Sequence, residues 1–310
     1  MKIYKSLEEV KPIKNAVVTT GTFDGVHLGH RSLIDKMNEM AASIDGETVI
    51  LTFDPHPRRV LYPDSWDLKL INSQQRKIDL LSRTGVGHLI IIPFTIEFSA
   101  MNPLEFIKDI IVEKIGGKTI VVGYDHHFGK NRLGNYNSLN EIGRELGFTV
   151  EELPAQIVED IPVSSSKIRK LLHEGNIKLA NQLLGYEYSI MGKVVYGYQV
   201  GKTIGFPTAN LEVEDKLKLI AANGVYACKI LYRNEKLIGM GNIGFRPTLD
   251  RKDLTIEVNI FDFEKIIYGD KLTIYWIDRI RDEVKFNNLE ELKNQLIRDR
   301  KTVKNILGHP

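Results

Sequence analysis

The sequence predicts an α/β chain in two parts: a parallel sheet with helices on both faces, then a small antiparallel β-barrel followed by a C-terminal helix. Three observations carry this expectation. From residue 16 to about 153, short apolar stretches alternate with amphipathic helical ones, the pattern of a parallel sheet with crossover helices. From 188 to 279 the pattern becomes short alternating strands, divided by turn residues such as Asn223-Gly224 and Tyr268-Gly269-Asp270, as in a small barrel. The length of 310 residues suits two domains of ordinary size. The boundary is expected near 185, giving domains 1–184 and 185–310.

In the first part, residues 1–15 read as a polar lead-in with room for one short strand. Strands are expected at 16–20, 47–53, 87–92, 118–123 and 148–153. Helices are expected near 29–44, 73–84, 103–116 and 138–147. The stretch that organises this half is Ala16-Val17-Val18-Thr19-Thr20 followed by Gly21-Thr22-Phe23-Asp24-Gly25-Val26-His27-Leu28-Gly29-His30. The first five residues are mostly β-branched and uncharged, so they read as a buried strand. The glycines and Asp24 then demand a turn. Leu33, Ile34, Met37, Met40, Ala41 and Ile44 fall at helical spacing, on one face of a helix. His27 and His30 therefore lie at a helix N-terminus, where free N–H groups and the dipole favour an anion. Gly29 admits a ligand to the backbone, and the imidazoles can donate to phosphoryl oxygens. The expectation is a phosphate site. A zinc site built on the His-x-x-His pair is disfavoured, because it needs further ligands that one cysteine and scattered histidines do not supply.

Ligands of parallel sheets bind beyond the carboxyl ends of the strands. Three polar segments fall there or beyond: Asp54-Pro55-His56-Pro57-Arg58-Arg59, the 123–132 segment with Asp125 and Phe128, and Val163-Ser164-Ser165-Ser166-Lys167-Ile168-Arg169. The serines can cap a helix. One cap suffices, however, and Lys167 and Arg169 oppose the helix dipole. An anion there would account for both, and capping alone stands as an equal alternative.

Residues 164–184 read as helical, broken at Gly175 and ended at Gly185. Strands are then expected at 188–197, 206–213, 224–233, 236–243, 254–261 and 271–279, with an amphipathic helix from Leu289 to Ile306. Gly197-Tyr-Gln-Val-Gly201-Lys202-Thr203 has three residues between its glycines, one short of a P-loop, and the following Pro207 forbids the helix a P-loop requires. The glycines and Lys202 suit a flexible phosphate-covering loop instead. Thr208 and Asn210 share one face of a strand, and their oxygens suit Mg²⁺ carrying nucleotide phosphates. Glu257 lies in an otherwise apolar strand. It is either a solvent-facing residue or a general base for a hydroxyl.

Net charge is only +2, so there is no basic surplus to demand nucleic acid. One cysteine, Cys228, excludes an intrachain disulfide and a multi-cysteine metal site. No run has the length of a membrane span, and MKIYKSLEEVKP lacks the apolar core of a signal peptide. A cytoplasmic protein is expected.

Together these motifs resemble the prokaryotic bifunctional riboflavin kinase/FMN adenylyltransferases, or FAD synthetases, nearly end to end. Gly21-Thr-Phe-Asp-Gly-Val-His-Leu-Gly-His30 is similar to the His-x-Gly-His signature of nucleotidyltransferases. Thr52-Phe-Asp-Pro-His-Pro57 and Ser-Ser-Ser-x-Ile-Arg169 resemble further motifs of that half. Gly205-Phe-Pro-Thr-Ala-Asn-Leu211, Gly224-Val-Tyr226, Asn242-Ile-Gly-x-Arg-Pro-Thr248 and Arg281-Asp-Glu-x-x-Phe286 resemble the riboflavin kinase module. The resemblance implies a Rossmann-like nucleotidyltransferase domain and a riboflavin kinase-type barrel. It implies phosphorylation of riboflavin by ATP in the barrel and adenylylation of FMN to FAD, with release of pyrophosphate, in the first domain.

The same resemblance implies catalytic roles for His27, His30, Arg169 and Glu257. It implies nucleotide contacts at Gly21, Phe23, Asp24, Gly29, Asp125, Ser165, Ser166, Gly201, Lys202, Thr208 and Asn210, with Mg²⁺ at Thr208 and Asn210. Flavin contacts fall on His56, Pro57, Phe128 and Arg281. ATP, riboflavin, FMN and FAD are the implied small-molecule partners, FMN and FAD as substrate and product rather than prosthetic groups. Ser166 stands where the family usually has Thr, His126 where it has Phe, and Asn259 where the kinase module more often has His. Asn259 motivates the alternative of an FMN adenylyltransferase with a degenerate kinase module.

Overall fold

A computed structural model describes residues 1–62, 68–123, 136–197, 199–247 and 252–308. By contact the chain falls into two compact units, Met1–Ser164 and Ser165–Pro310.

The first unit is built on six strands: β1 (Lys2–Tyr4), β2 (Ala16–Thr20), β3 (Thr48–Asp54), β4 (His88–Pro93), β5 (Gly117–Gly123) and β6 (Thr149–Leu153). They form one sheet in the order β1-β4-β3-β2-β5-β6, and every pairing is parallel. The parallel sheet and its flanking helices bear out the expected class. The lead-in supplies the edge strand β1. Side-chain alternation along β2 shows the layering. Ala16 and Val18 enter a core with Ile107, Ile110 and Ile111 on one face. Val17 packs with Met37 and Ala41 on the other. The second face is covered by α1 (Leu28–Ser43). The helix expected at 103–116 is a short α-turn, Pro103–Glu105, that continues as a π-helix, Phe106–Lys114.

Strand order reverses at β2. From it the chain builds β3 and β4 to one side and then β5 and β6 to the other. Such a switch point opens a crevice at the carboxyl ends of the two central strands. The Gly21–His27 turn leaves β2 at that point. The segment leaving β5, with Asp125 and Phe128, lies outside the described residues.

The second unit opens with two helices, Ser165–Glu174 and Ile177–Leu184. Gly175 sits between them at φ +77°, and Gly185 caps the second at φ +71°, conformations that suit glycine. The pair packs on the barrel: the Asn181 amide donates to the Trp276 carbonyl at 2.8 Å, and the Ala222 N–H donates to the Leu172 carbonyl at 2.9 Å.

After the small hairpin Ile157–Val158/Ile161–Pro162 of the first unit, taken as β7 and β8, the barrel strands are β9 (Ser189–Val195), β10 (Ala209–Glu212), β11 (Gly224–Tyr232), β12 (Glu235–Pro247), β13 (Lys252–Ile260) and β14 (Lys271–Arg281). They close as β10-β13-β12-β11-β14-β9, with β9 paired to β10. All pairings are antiparallel. Trp276, Tyr226, Cys228 and Ile274 are fully buried. The C-terminal helix, Leu289–Ile306, covers one face through Val303 and Leu296 against Ala227, Met240 and Phe261.

Candidate active site

In the first unit the centre of the Gly21–His30 turn, Phe23 to His27, is buried. Gly21 N–H donates to the Leu51 carbonyl at 3.0 Å. Phe23 (φ +49°) and Val26 (φ +37°) adopt left-handed backbone, which folds the turn tightly and seals it with their buried side chains. Both Asp24 oxygens accept backbone N–H groups, from Ile71 at 3.0 Å and Asn72 at 3.2 Å, so this carboxylate braces the neighbouring segment.

His27 is the N-cap of α1, and its Nδ1 accepts the His30 N–H at 3.3 Å. A neutral ring that accepts at Nδ1 carries its proton on Nε2. The His27 and His30 rings stack with centroids 3.7 Å apart, and Phe23 lies 4.7 Å from His30 on the same cluster. A Cβ on Gly29 would come within 3.2 Å of the His27 ring, so glycine lets the pair lie flat. His30 keeps a partly open edge while its Nδ1 is buried, with no hydrogen-bond partner among the described residues. Burial, then the nearby His27 and Lys77 charges, hold its pKa well below the usual 6.5. The ring is therefore a neutral donor or acceptor at pH 7 rather than a cation. The first turn of α1 carries no acidic residue, which leaves its positive dipole end uncompensated.

The sequence did not single out Lys77. It lies on Gln74–Leu81 and is 7% exposed. Its ammonium donates to the Thr22 carbonyl at 3.3 Å and to Thr52 Oγ1 at 3.2 Å. The signal was a lysine in phase with Leu80 and Leu81 on the apolar stripe of a helix. His56 caps the short helix Pro57–Leu61 by accepting the Arg58 N–H at Nδ1, and Pro57 fills the first position.

Ser165, Ser166 and Arg169 open the first helix of the second unit. On the barrel, Thr208 Oγ1 donates to Glu257 Oε2 at 3.2 Å. Asn210 on β10 and Asn242 on β12 stand opposite Glu257 from either side. The flanking Ile256 and Val258 are buried, so the half-buried Glu257 faces the other way, on the outer surface of the barrel wall. A polar rung of two amides and a carboxylate results.

Asn259 is 6% exposed, and its amide donates to the Pro207 carbonyl at 2.6 Å. It thus fixes the backbone that presents Thr208. A Cβ on Gly197 would overlap the Asn210 amide. Gly201 and Lys202, expected in a loop, lie in a single helical turn, Val200–Thr203, tied back by Phe206 N–H to the Gly201 carbonyl at 2.8 Å.

Arg281 is held in a two-pronged ion pair with buried Asp299 of the C-terminal helix, at 2.7 and 3.0 Å. Beyond it, Glu283 accepts from Asn242 at 3.2 Å, which joins this segment to the Glu257 rung. Phe286 and Arg298 help line a cleft of about 600 Å³ beside that helix. Cys228 is buried, and burial raises its thiol pKa far above the ordinary value, so it is no nucleophile. No group of three or more His, Cys, Asp or Glu able to hold a metal occurs among the described residues. No helix among them is long and apolar enough to cross a membrane.

Comparison with known proteins shows the family of each half. Residues 10–167 match the FAD synthetase family, and residues 184–307 match the riboflavin kinase family. The chain is 36% identical over 303 residues to the bifunctional riboflavin kinase/FMN adenylyltransferase of Buchnera aphidicola (Acyrthosiphon pisum), covering 96% of each. It is 38% identical over 288 residues to the one from Listeria monocytogenes, covering 92% of this chain and 90% of that one. A crystal structure described as a macrolide-efflux protein from Streptococcus pneumoniae superposes with a TM-score of 0.89 at 32% identity over 98% of both chains. Matched by family in each half and along nearly its whole length by these relatives, the chain belongs to the bifunctional riboflavin kinase/FMN adenylyltransferases, enzymes that phosphorylate riboflavin and adenylylate FMN.

Proposed function

We propose that the two reactions divide between the His27–His30 turn and the Glu257 rung. What supports this reading is that the His27–His30 turn lies in the stretch matched by the FAD synthetase family and the Glu257 rung in the stretch matched by the riboflavin kinase family. In the first unit, a phosphate oxygen of FMN attacks the α-phosphorus of ATP, and the bond to pyrophosphate breaks. The substrate brings its own nucleophile, so the protein has charge to stabilise and atoms to align. The open N-terminus of α1 and the Nε2–H of His27 supply donors for the transferring group. His30 does so from a neutral ring. The resemblance assigns Gly21, Phe23, Asp24 and Gly29 to the nucleotide. It assigns His56 and Pro57 to the flavin.

In the barrel, Glu257 accepts the proton of the ribityl 5′-hydroxyl as that oxygen attacks the γ-phosphorus of ATP, and the bond from that phosphorus to ADP breaks, so that FMN forms and ADP leaves. Its hydrogen bond from Thr208 orients the carboxylate. The hydroxyl of Thr208 and the amide oxygen of Asn210, beside that carboxylate, fit Mg²⁺, which takes few protein ligands and shares phosphate oxygens. When bound, the ion neutralises phosphate charge. Phe286 and the cleft it lines suit the flat flavin ring, with Arg281 and Asp299 fixing that wall. A cytoplasmic enzyme fits the single buried cysteine.

The test separates the sites in one chain. His30→Ala and Glu257→Ala proteins are incubated with riboflavin, ATP and Mg²⁺, and flavins are followed by chromatography. Each change should remove one reaction and spare the other. Equal loss of both reactions in both variants rejects the division.

A further inference from the structure

We infer that Lys77 is a positioning residue for adenylyl transfer: its buried ammonium locks the Thr22 carbonyl and lays a fixed charge beneath the turn that presents His27 and His30. The inference rests on assigning that reaction to the histidine turn.

The geometry is a closed triangle. Lys77 Nζ donates to Thr52 Oγ1 at 3.2 Å, Thr52 Oγ1 donates to the Thr22 carbonyl at 3.2 Å, and Lys77 Nζ donates to that same carbonyl at 3.3 Å. Thr52 is fully buried on β3. Asp24, two residues beyond Thr22, grips Ile71 and Asn72 just ahead of the Lys77 helix. The turn is thus pinned at one end of a three-residue span to the helix and at the other to the segment that leads into it.

A core lysine is costly without a carboxylate in contact, and neither hydrogen-bond acceptor here is charged. Leucine at this stripe position would pack with Leu80 and Leu81 at no such cost. What the ammonium adds is a rigid Thr22 carbonyl and a nearby positive charge. Burial lowers the Lys77 pKa, opposed by Asp24 and Asp54. The groups that set the charge around His30 are His27 from its own turn and Lys77 from the facing helix. Both lower its pKa, so removing Lys77 raises it.

The full-length protein is made as Lys77→Met and Lys77→Arg. Adenylylation of added FMN should fall about 10²-fold in kcat for Lys77→Met, the scale of a small misplacement of catalytic groups. Phosphorylation of riboflavin should hold, and Lys77→Arg should recover part of the loss. The His30 ring resonance, followed by NMR against pH, should titrate at higher pH in Lys77→Met. Unchanged FAD synthesis, or a loss with no movement of the His30 titration, overturns the inference. If Lys77→Met is unfolded, Lys77→Gln keeps a donor for the Thr22 carbonyl without the charge, and an unmoved His30 titration in it overturns the inference equally. His30→Ala is run alongside. FAD synthesis that survives it defeats the site assignment and the inference together. FAD synthesis that is lost in it but intact in Lys77→Met defeats the inference alone.

Discussion

Thr208, the residue before β10, donates its hydroxyl hydrogen to Glu257 on β13, at 3.2 Å. The donor is an alcohol, so its hydrogen bond orients the carboxylate without cancelling its charge. Glu257→Gln keeps the shape and removes the base. FMN formation should fall by about 10²–10⁴, with adenylylation of added FMN unchanged in a coupled pyrophosphate assay.

His30→Ala removes one member of the stacked pair and should lower FAD formation about 10²–10³-fold. FMN should accumulate in its place when riboflavin is the substrate. Chromatography of the flavins over time reads both at once.

His30 also carries a pH dependence of stability. Its folded pKa lies well below 6.5, chiefly through burial. The unfolded chain therefore takes up a proton here before the folded one does. The stability is complete above about pH 6.5 and is lost as pH falls from there toward the folded value. His30→Asn should narrow the gap between urea midpoints measured at about pH 7.5 and about pH 5.5. An unchanged gap places the acid sensitivity elsewhere.

Asp299→Ala leaves Arg281 without its partner in a pair whose side chains are 4% and 18% exposed. Removal of one member of a buried pair costs about 3 kcal/mol. In a Trp66→Phe background Trp276 is the sole tryptophan, and its fluorescence in urea reports the barrel. Riboflavin phosphorylation should weaken in step, because the residues that follow Arg281, Val284 to Phe286, line the cleft proposed for the flavin.

The parallel sheet, the barrel and both candidate motifs were legible in the sequence because each has a period or a turn chemistry of its own. Val17 and Val18 show the strand, and Gly21, Gly25 and His27 show where it must stop. Lys77 and Asp299 were not legible, for one shared reason. Each is a charge set on the apolar stripe of a helix, Asp299 in step with Leu292, Leu296 and Val303. Periodicity reads such a residue as a blemish in the pattern, and only the fold reveals the Thr22 carbonyl or the Arg281 guanidinium waiting opposite. Asn259 was visible but was read as a weakness. In the fold it is the strut beneath Pro207 and Thr208.

The barrel's first strand, β9, is hydrogen-bonded to its last, β14, and the clamp on Arg281 comes from the terminal helix. During synthesis, domains fold as units from the N-terminal end. The adenylylating half can therefore mature while the ribosome is still at work. The half that makes its substrate must await the helix that carries Asp299, so a chain stopped before that helix would make FAD only from FMN supplied by others.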